Sequence, residues 1–275
     1  MFLEKFFRNF RTPTVEKHVL DGILDNMVTI PAGSFLMGSN DGEDDESPIH
    51  NVLLDEFKLG KYVVTQAEWE SVMDSRPWEN LKFSRVQADC PAVNITWYEV
   101  REFIERLNNS GPHLFRLPTE AEWEYACRAG ASNTFPYGVL KLNLHKYAWF
   151  YDNAFQENKM SPQPIGVLQA NKWGLFDIQG NVYEWCDDWY RRNYYNKSRL
   201  YNPQGPRYGK YKVVRGGDWA RTEYFLRIAS RRHYTPHHKD SFIGFRLAMD
   251  GQNIPANLEL QIPDSNRGNE EKPHA

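Results

Sequence analysis

The stretch from residue 131 to 211 carries no long run of apolar residues at either helical or strand spacing. Compact domains seldom contain so long a segment without regular elements. Glycine, proline, asparagine and aspartate punctuate it, and tryptophans and tyrosines lie between them. The fold open to such a chain is one whose long loops are pinned by buried rings, hydrogen bonds or an ion. Aromatic residues make up 15% of the sequence, with nine tryptophans, so the core rests on large rings. Their N–H and O–H groups need partners, which favours an irregular, hydrogen-bonded interior.

Three helices are predicted by one start signal, a threonine followed three residues later by glutamate. This reciprocal cap satisfies free N–H groups of a first helical turn. Thr65 and Glu68 open the first helix, Thr96 and Glu99 the second, Thr119 and Glu122 the third. In the second, Val100, Phe103, Ile104 and Leu107 repeat at i, i+3, i+4 and i+7, and Gly111-Pro112 closes it. Short strands are predicted at 27–30, 34–37, 51–59, 212–215 and 244–249. The expected organisation is an amphipathic leader over 1–26, one domain over 27–249, and a polar tail over 250–275 too poor in apolar residues to pack.

The leader places Phe2, Phe6, Phe7 and Phe10 on one helical face, interrupted by Lys5 and Arg8. That face suits docking on a protein partner or weak contact with a membrane surface. Neither a secretory signal nor a run of about 18 apolar residues is present. Cys90, Cys127 and Cys186 form no C-x-x-C pair, and so sparse and odd a set suits a reducing compartment. Together these features predict a cytoplasmic location. The net charge of −3 offers no electrostatic case for nucleic acid as a partner.

Seven blocks recur in a telling order: MVTIPAGSFLMGS (27–39), FKLGKYVVTQAEW (57–69), PAVNITW (91–97), FRLPTEAEWEYA (115–126), WGLFDIQGNVYEW (173–185), VRGGDW (214–219) and IGFR (243–246). The series resembles the formylglycine-generating enzyme (sulfatase-modifying factor) family over about residues 27–249. The resemblance implies a mixed α/β (α+β) fold related to C-type lectins and low in regular secondary structure. It further implies oxidation of a substrate cysteine by copper(I) held between two cysteines that follow the glycine pair. Those positions are Arg221 and Leu226 here, and neither side chain can bind the soft ion that thiolates suit. The family's serine after the glycines is Asp218, and its tryptophan beside the oxygen site is Tyr183. Copper is therefore not expected.

Calcium is. The family's ion site transfers to Asp177, Gly180, Val182 and Glu184, two carboxylates with two backbone carbonyls, the hard oxygens calcium prefers. The competing reading makes both carboxylates partners of buried N–H groups or an arginine. A ligand cleft is expected from Tyr183, Asp218, Trp219, Arg221, Arg227, Arg231 and Arg232, where arginines beside a carboxylate suit an anion or form a salt-bridge network. His233, His237 and His238 have the spacing of a metal pair, but Pro236 opposes a helix there and no third ligand is evident. Two functions remain open. One is a ligand-binding or accessory/maturation protein using the cleft around 219–232. The other is an oxidoreductase acting on a sulfur compound or other small molecule without the cysteine pair.

Overall fold

Each of the three threonine–glutamate pairs closes as a reciprocal cap. Glu68 N–H donates to Thr65 Oγ1 at 3.2 Å, while Thr65 N–H donates to Glu68 Oε2 at 2.7 Å. Thr96 with Glu99 and Thr119 with Glu122 repeat the arrangement. The computed structural model describes residues 15–132, 134–135, 141–156 and 159–251. Its helices are α1 (Lys17–Asp25), α2 (Gln66–Met73), α3 (Trp97–Asn108), α4 (Glu120–Arg128) and α5 (Tyr151–Gln156). Its strands are β1 (Met27–Ile30), β2 (Gly33–Met37), β3 (His50–Leu54), β4 (Phe57–Gly60), β5 (Phe115–Arg116), β6 (Tyr183–Trp189), β7 (Lys212–Arg215), β8 (Arg232–Tyr234), β9 (Ile243–Phe245) and β10 (Ala248–Asp250).

The strands form a sheet of order β1-β4-β10-β5, a hairpin β2-β3, and a second sheet of order β8-β7-β6-β9. Two predicted strands are each divided. Residues 51–59 become β3 and β4, because β3 pairs with β2 whereas β4 pairs with β1 and β10. Residues 244–249 become β9 and β10, because the chain leaves β6 in one sheet to join β4 and β5 in the other. Arg246 sits at that crossing, its side chain fully buried.

Helix α1 falls in the stretch predicted to be a leader outside the domain. Its Leu20 and Ile23, together with Val15, join the core cluster that also holds Phe103 and Leu107. Residues 15–26 thus pack as part of the domain, since burying three aliphatic side chains is worth several kcal/mol. Phe2, Phe6, Phe7 and Phe10, and the tail from 252 onward, lie outside the described residues. Among those described, no helix is long and apolar enough to cross a membrane.

Rings supply the largest buried side chains, but valine, isoleucine, leucine and methionine outnumber them in the interior, so the core does not rest on rings alone. Trp69 stacks on Phe103 at 5.4 Å, and Phe245 meets both edge-on. Beside this cluster every residue of α4 is buried, including Glu120, Glu122, Glu124 and Arg128. Its acids are matched by arginines from a distant loop, from strand β7 and from the helix itself. Arg231 grips Glu120 at 2.7 and 2.8 Å, and Arg128 and Arg215 both pair with Glu124. Burial alone would raise the Glu124 carboxyl, but Arg128, Arg215 and the Gly38 N–H bring it below its ordinary value. Such rigid guanidinium forks hold loops in place where no strand or helix does.

Candidate functional site

The glycine pair after β7 turns the chain into the site. Gly216 and Gly217 have φ of 102° and 82°, a left-handed region open to glycine. A Cβ on Gly217 would stand 2.6 Å from Leu226 Cδ1, so neither torsion nor space admits another residue. The turn delivers Asp218 and Trp219 inward. Asp218 is fully buried, accepting a hydrogen bond from Ala220 N–H at 2.7 Å and from Arg221 Nε at 3.3 Å. Burial pushes its carboxyl up to about 6 against the opposing pull of Arg221 and the Ala220 N–H.

Around that carboxylate lie groups from several other segments. Tyr183, at the start of β6, is buried with no hydrogen-bond partner for its hydroxyl. Burial raises that phenol strongly, Asp218 adds to the shift, and Arg221 and Arg232 oppose it. Trp219 stacks on Phe242 at 5.4 Å and meets Phe83 at 5.9 Å, its Nε1 also unpartnered. The Arg221 and Arg232 guanidiniums both stand over the Phe225 ring, at 5.8 and 4.5 Å. Tyr183, Asp218, Trp219, Arg221 and Arg232 are therefore near neighbours in the fold.

Arg227 and Arg231 are not in this cluster. Arg227 is locked to Glu46 and Arg231 to Glu120, both within the buried salt-bridge network. Their forks face carboxylates that the linear sequence places far away. The histidines also disperse: His233 stacks on Tyr190, His237 meets Tyr98 at a tilt, and His238 stacks on Tyr234 with its Nε2 at 2.8 Å from Asp240. Phe83, Phe242 and Tyr234 complete the cluster; Phe83, in a turn without periodicity, had no signal in the sequence.

The second predicted site lies behind the first. Gly180, at φ 74°, donates its N–H to Gly216 O at 2.9 Å, and a Cβ there would be 2.2 Å from Trp149 O. Asp177 Oδ2 accepts the Gly166 N–H at 2.8 Å, while its buried Oδ1 has no partner. Burial pushes this carboxyl up to about 6. Glu184 is already engaged. Its Oε1 accepts from Arg246 Nη2 at 2.7 Å, and its Oε2 accepts from Trp123 Nε1 at 2.8 Å and Arg246 Nε at 2.9 Å. The open Asp177 oxygen fits a hard cation, and Glu184 would share its charge between that ion and Arg246. Among the described residues no three His, Cys, Asp or Glu side chains converge as a metal site, so any ion here depends on carbonyls, as calcium does.

Cys90, Cys127 and Cys186 are all free and buried, and burial pushes Cys90 up to about 12 and raises the other two thiols as well. Leu226, where the family resemblance places one thiolate, is fully buried, and Phe150 and Leu144 share its apolar cluster.

A capped, loop-rich α/β domain with a buried side-chain cluster behind a glycine turn describes a class of proteins. The family described as sulfatase-modifying factor enzyme 1-like domain matches residues 13–251, and this chain belongs to it. The serine/threonine-protein kinase pkn1 of Chlamydia caviae is 32% identical over 270 residues, covering 86% of this chain and 41% of that protein. The chain thus spans about two-fifths of the length of such kinase relatives. The formylglycine-generating enzyme of Mus musculus is 29% identical, covering 90% of this chain and 81% of that protein. Among solved structures, Treponema denticola variable protein 1 superposes with a TM-score of 0.75 at 27% identity, covering 82% of this chain and 95% of that one.

Proposed function

We propose that this family member binds a ligand in the cleft of Tyr183, Asp218, Trp219, Arg221 and Arg232, as a binding or accessory protein, and does not form formylglycine with copper. The observation carrying this reading is the pair of side chains at the family's thiolate positions. Leu226 fills its position with buried hydrocarbon, and Arg221 fills the other with a cation held by Asp218. Copper(I) is bound by soft sulfur, and neither group offers any. Calcium at Asp177, with the carbonyls of Gly180 and Val182 and a share of Glu184, would have a structural role in ordering the loop behind the cleft.

The test is incubation of the protein and copper(I) with a sulfatase-type cysteine peptide. The expected mass spectrum shows the peptide unchanged; an aldehyde product formed with turnover would overturn the reading. The near-neutral Asp218 carboxyl beside an unpartnered Tyr183 hydroxyl favours one alternative, an oxidoreductase of cysteine-independent mechanism. Metal analysis of the purified protein separates the two. A stoichiometric redox metal supports the oxidoreductase, whereas calcium alone supports the binding protein.

A further inference from the structure

The connection between β6 and β7 runs from residue 190 to 211, far longer than an ordinary hairpin loop. From Tyr190 to Lys212 it holds seven of the chain's 33 lysines and arginines and none of its 36 acidic residues. The overall charge of −3 conceals this segregation. The loop is ordered from inside. Tyr190 N–H donates to Tyr211 O at 2.7 Å, closing its base, and Tyr190 Oη donates to Asp45 at 2.6 Å. Tyr195 is buried, with its ring 4.2 Å from the Arg231 guanidinium, and Leu200 O and Asn202 N–H bracket Leu53 of β3.

With those groups turned inward, Arg191, Arg192, Lys197, Arg199, Arg207 and Lys210 are all exposed. Only Arg192 has an acidic partner among the described residues, Asp44, and that pair is itself exposed. Tyr201 and Tyr208 stand 66% and 73% exposed between the cations, and the Arg191 guanidinium lies 6.0 Å from the Tyr208 ring. We propose that this loop is a binding surface for single-stranded nucleic acid. Unpaired arginines and lysines suit the phosphates, and exposed tyrosine and guanidinium planes offer faces on which unpaired bases stack. A lipid surface would call for protruding aliphatic groups, and Leu200 is the one such residue exposed on the loop.

The test is fluorescence anisotropy of a labelled single-stranded DNA of about 20 nucleotides with the full chain. Five unpaired cations predict a log–log salt slope of about −3.5, hence roughly 100-fold weaker binding at 200 than at 50 mM salt. The triple reversal Arg199→Glu, Arg207→Glu, Lys210→Glu should weaken binding by about 30-fold or more. Reversing exposed lysines elsewhere, Lys17→Glu, Lys82→Glu and Lys172→Glu, changes net charge equally and should cost far less. Tyr208→Ala should cost about five- to tenfold through lost stacking. Equal loss from both triple variants, or no effect of Tyr208→Ala, would overturn the proposal. So would retention on phosphatidylglycerol vesicles without binding of the oligonucleotide, which would assign the loop to a membrane.

Discussion

Arg227 holds Glu46 with both terminal nitrogens, at 2.6 and 2.7 Å, across 181 residues of sequence. The pair ties the turn after the glycine pair to the short helical turn Asp44–Glu46. It is also why Arg227 is unavailable to the cleft. Removing one partner of a buried pair leaves the other charge uncompensated, at a cost of about 3–5 kcal/mol. Arg227→Met should lower the denaturant midpoint by a matching amount. The double variant Glu46→Met, Arg227→Met should recover much of the loss, because no lone charge then remains buried. A single variant as stable as the parent would show that the pair contributes nothing.

The open Asp177 oxygen makes a second prediction. A ligand that binds only the folded state at about 100 times its dissociation constant adds roughly 2.7 kcal/mol. For a domain of this size that raises Tm by several degrees. Calcium should raise the Tm of chelator-treated protein, and Asp177→Asn should abolish the response. Asp177 is a cleaner probe than Glu184, whose loss would also strand the fully buried Arg246. A melting curve indifferent to calcium, with metal analysis confirming its removal, would make Asp177 an ordinary buried carboxyl.

Helices α2, α3 and α4 were legible because their signal is local: a threonine and a glutamate three residues apart carry the whole cap, a pair that α1 and α5 lack. Strand β6 was not, although it is the centre of its sheet. Its burial runs almost unbroken from Tyr183 to Asp188, so no alternation marks it, as is usual for a strand covered on both faces. The cleft was legible in part for a related reason. Asp218, Trp219 and Arg221 follow a glycine pair that sequence alone can place, whereas the destinations of Arg227 and Arg231 depend on carboxylates at Glu46 and Glu120. Like-looking arginines within one short segment are separated only by partners far away in the chain.

Lys212 gives a prediction about pH. Its ammonium lies between Trp97 and Trp189, at 3.9 and 4.1 Å, and donates to Asp187 O at 2.6 Å. Burial lowers it to about 8 although Asp187 and Asp188 pull the other way. The folded protein therefore binds this proton less tightly than the unfolded chain, so the contribution of Lys212 to stability rises with pH between about 8 and 10.5. Urea unfolding across that window should show the parent gaining on Lys212→Met as pH rises. Parallel curves would mean that the cation between the tryptophans titrates as it does in water.

Asp218 should show the opposite slope at lower pH. Its carboxyl is raised by burial to about 6, above the ordinary aspartate value of 3.8. The folded state then holds the proton more tightly than the unfolded chain. The contribution of Asp218 to stability is accordingly greatest below about pH 4, falls as pH rises towards 6, and is level above that. Asp218→Asn removes this titration, so the parent should lose stability relative to the variant between about pH 4 and 6.5 and keep a constant offset above. The offset includes the lost Arg221 contact, but the slope does not. Arg221→Gln supplies the check: without the opposing guanidinium the carboxyl should rise further, moving the sloping region to higher pH. If parent and Asp218→Asn run parallel from pH 4 to 7, Asp218 is ionised at the usual aspartate value, and the cleft holds no carboxyl poised near neutrality.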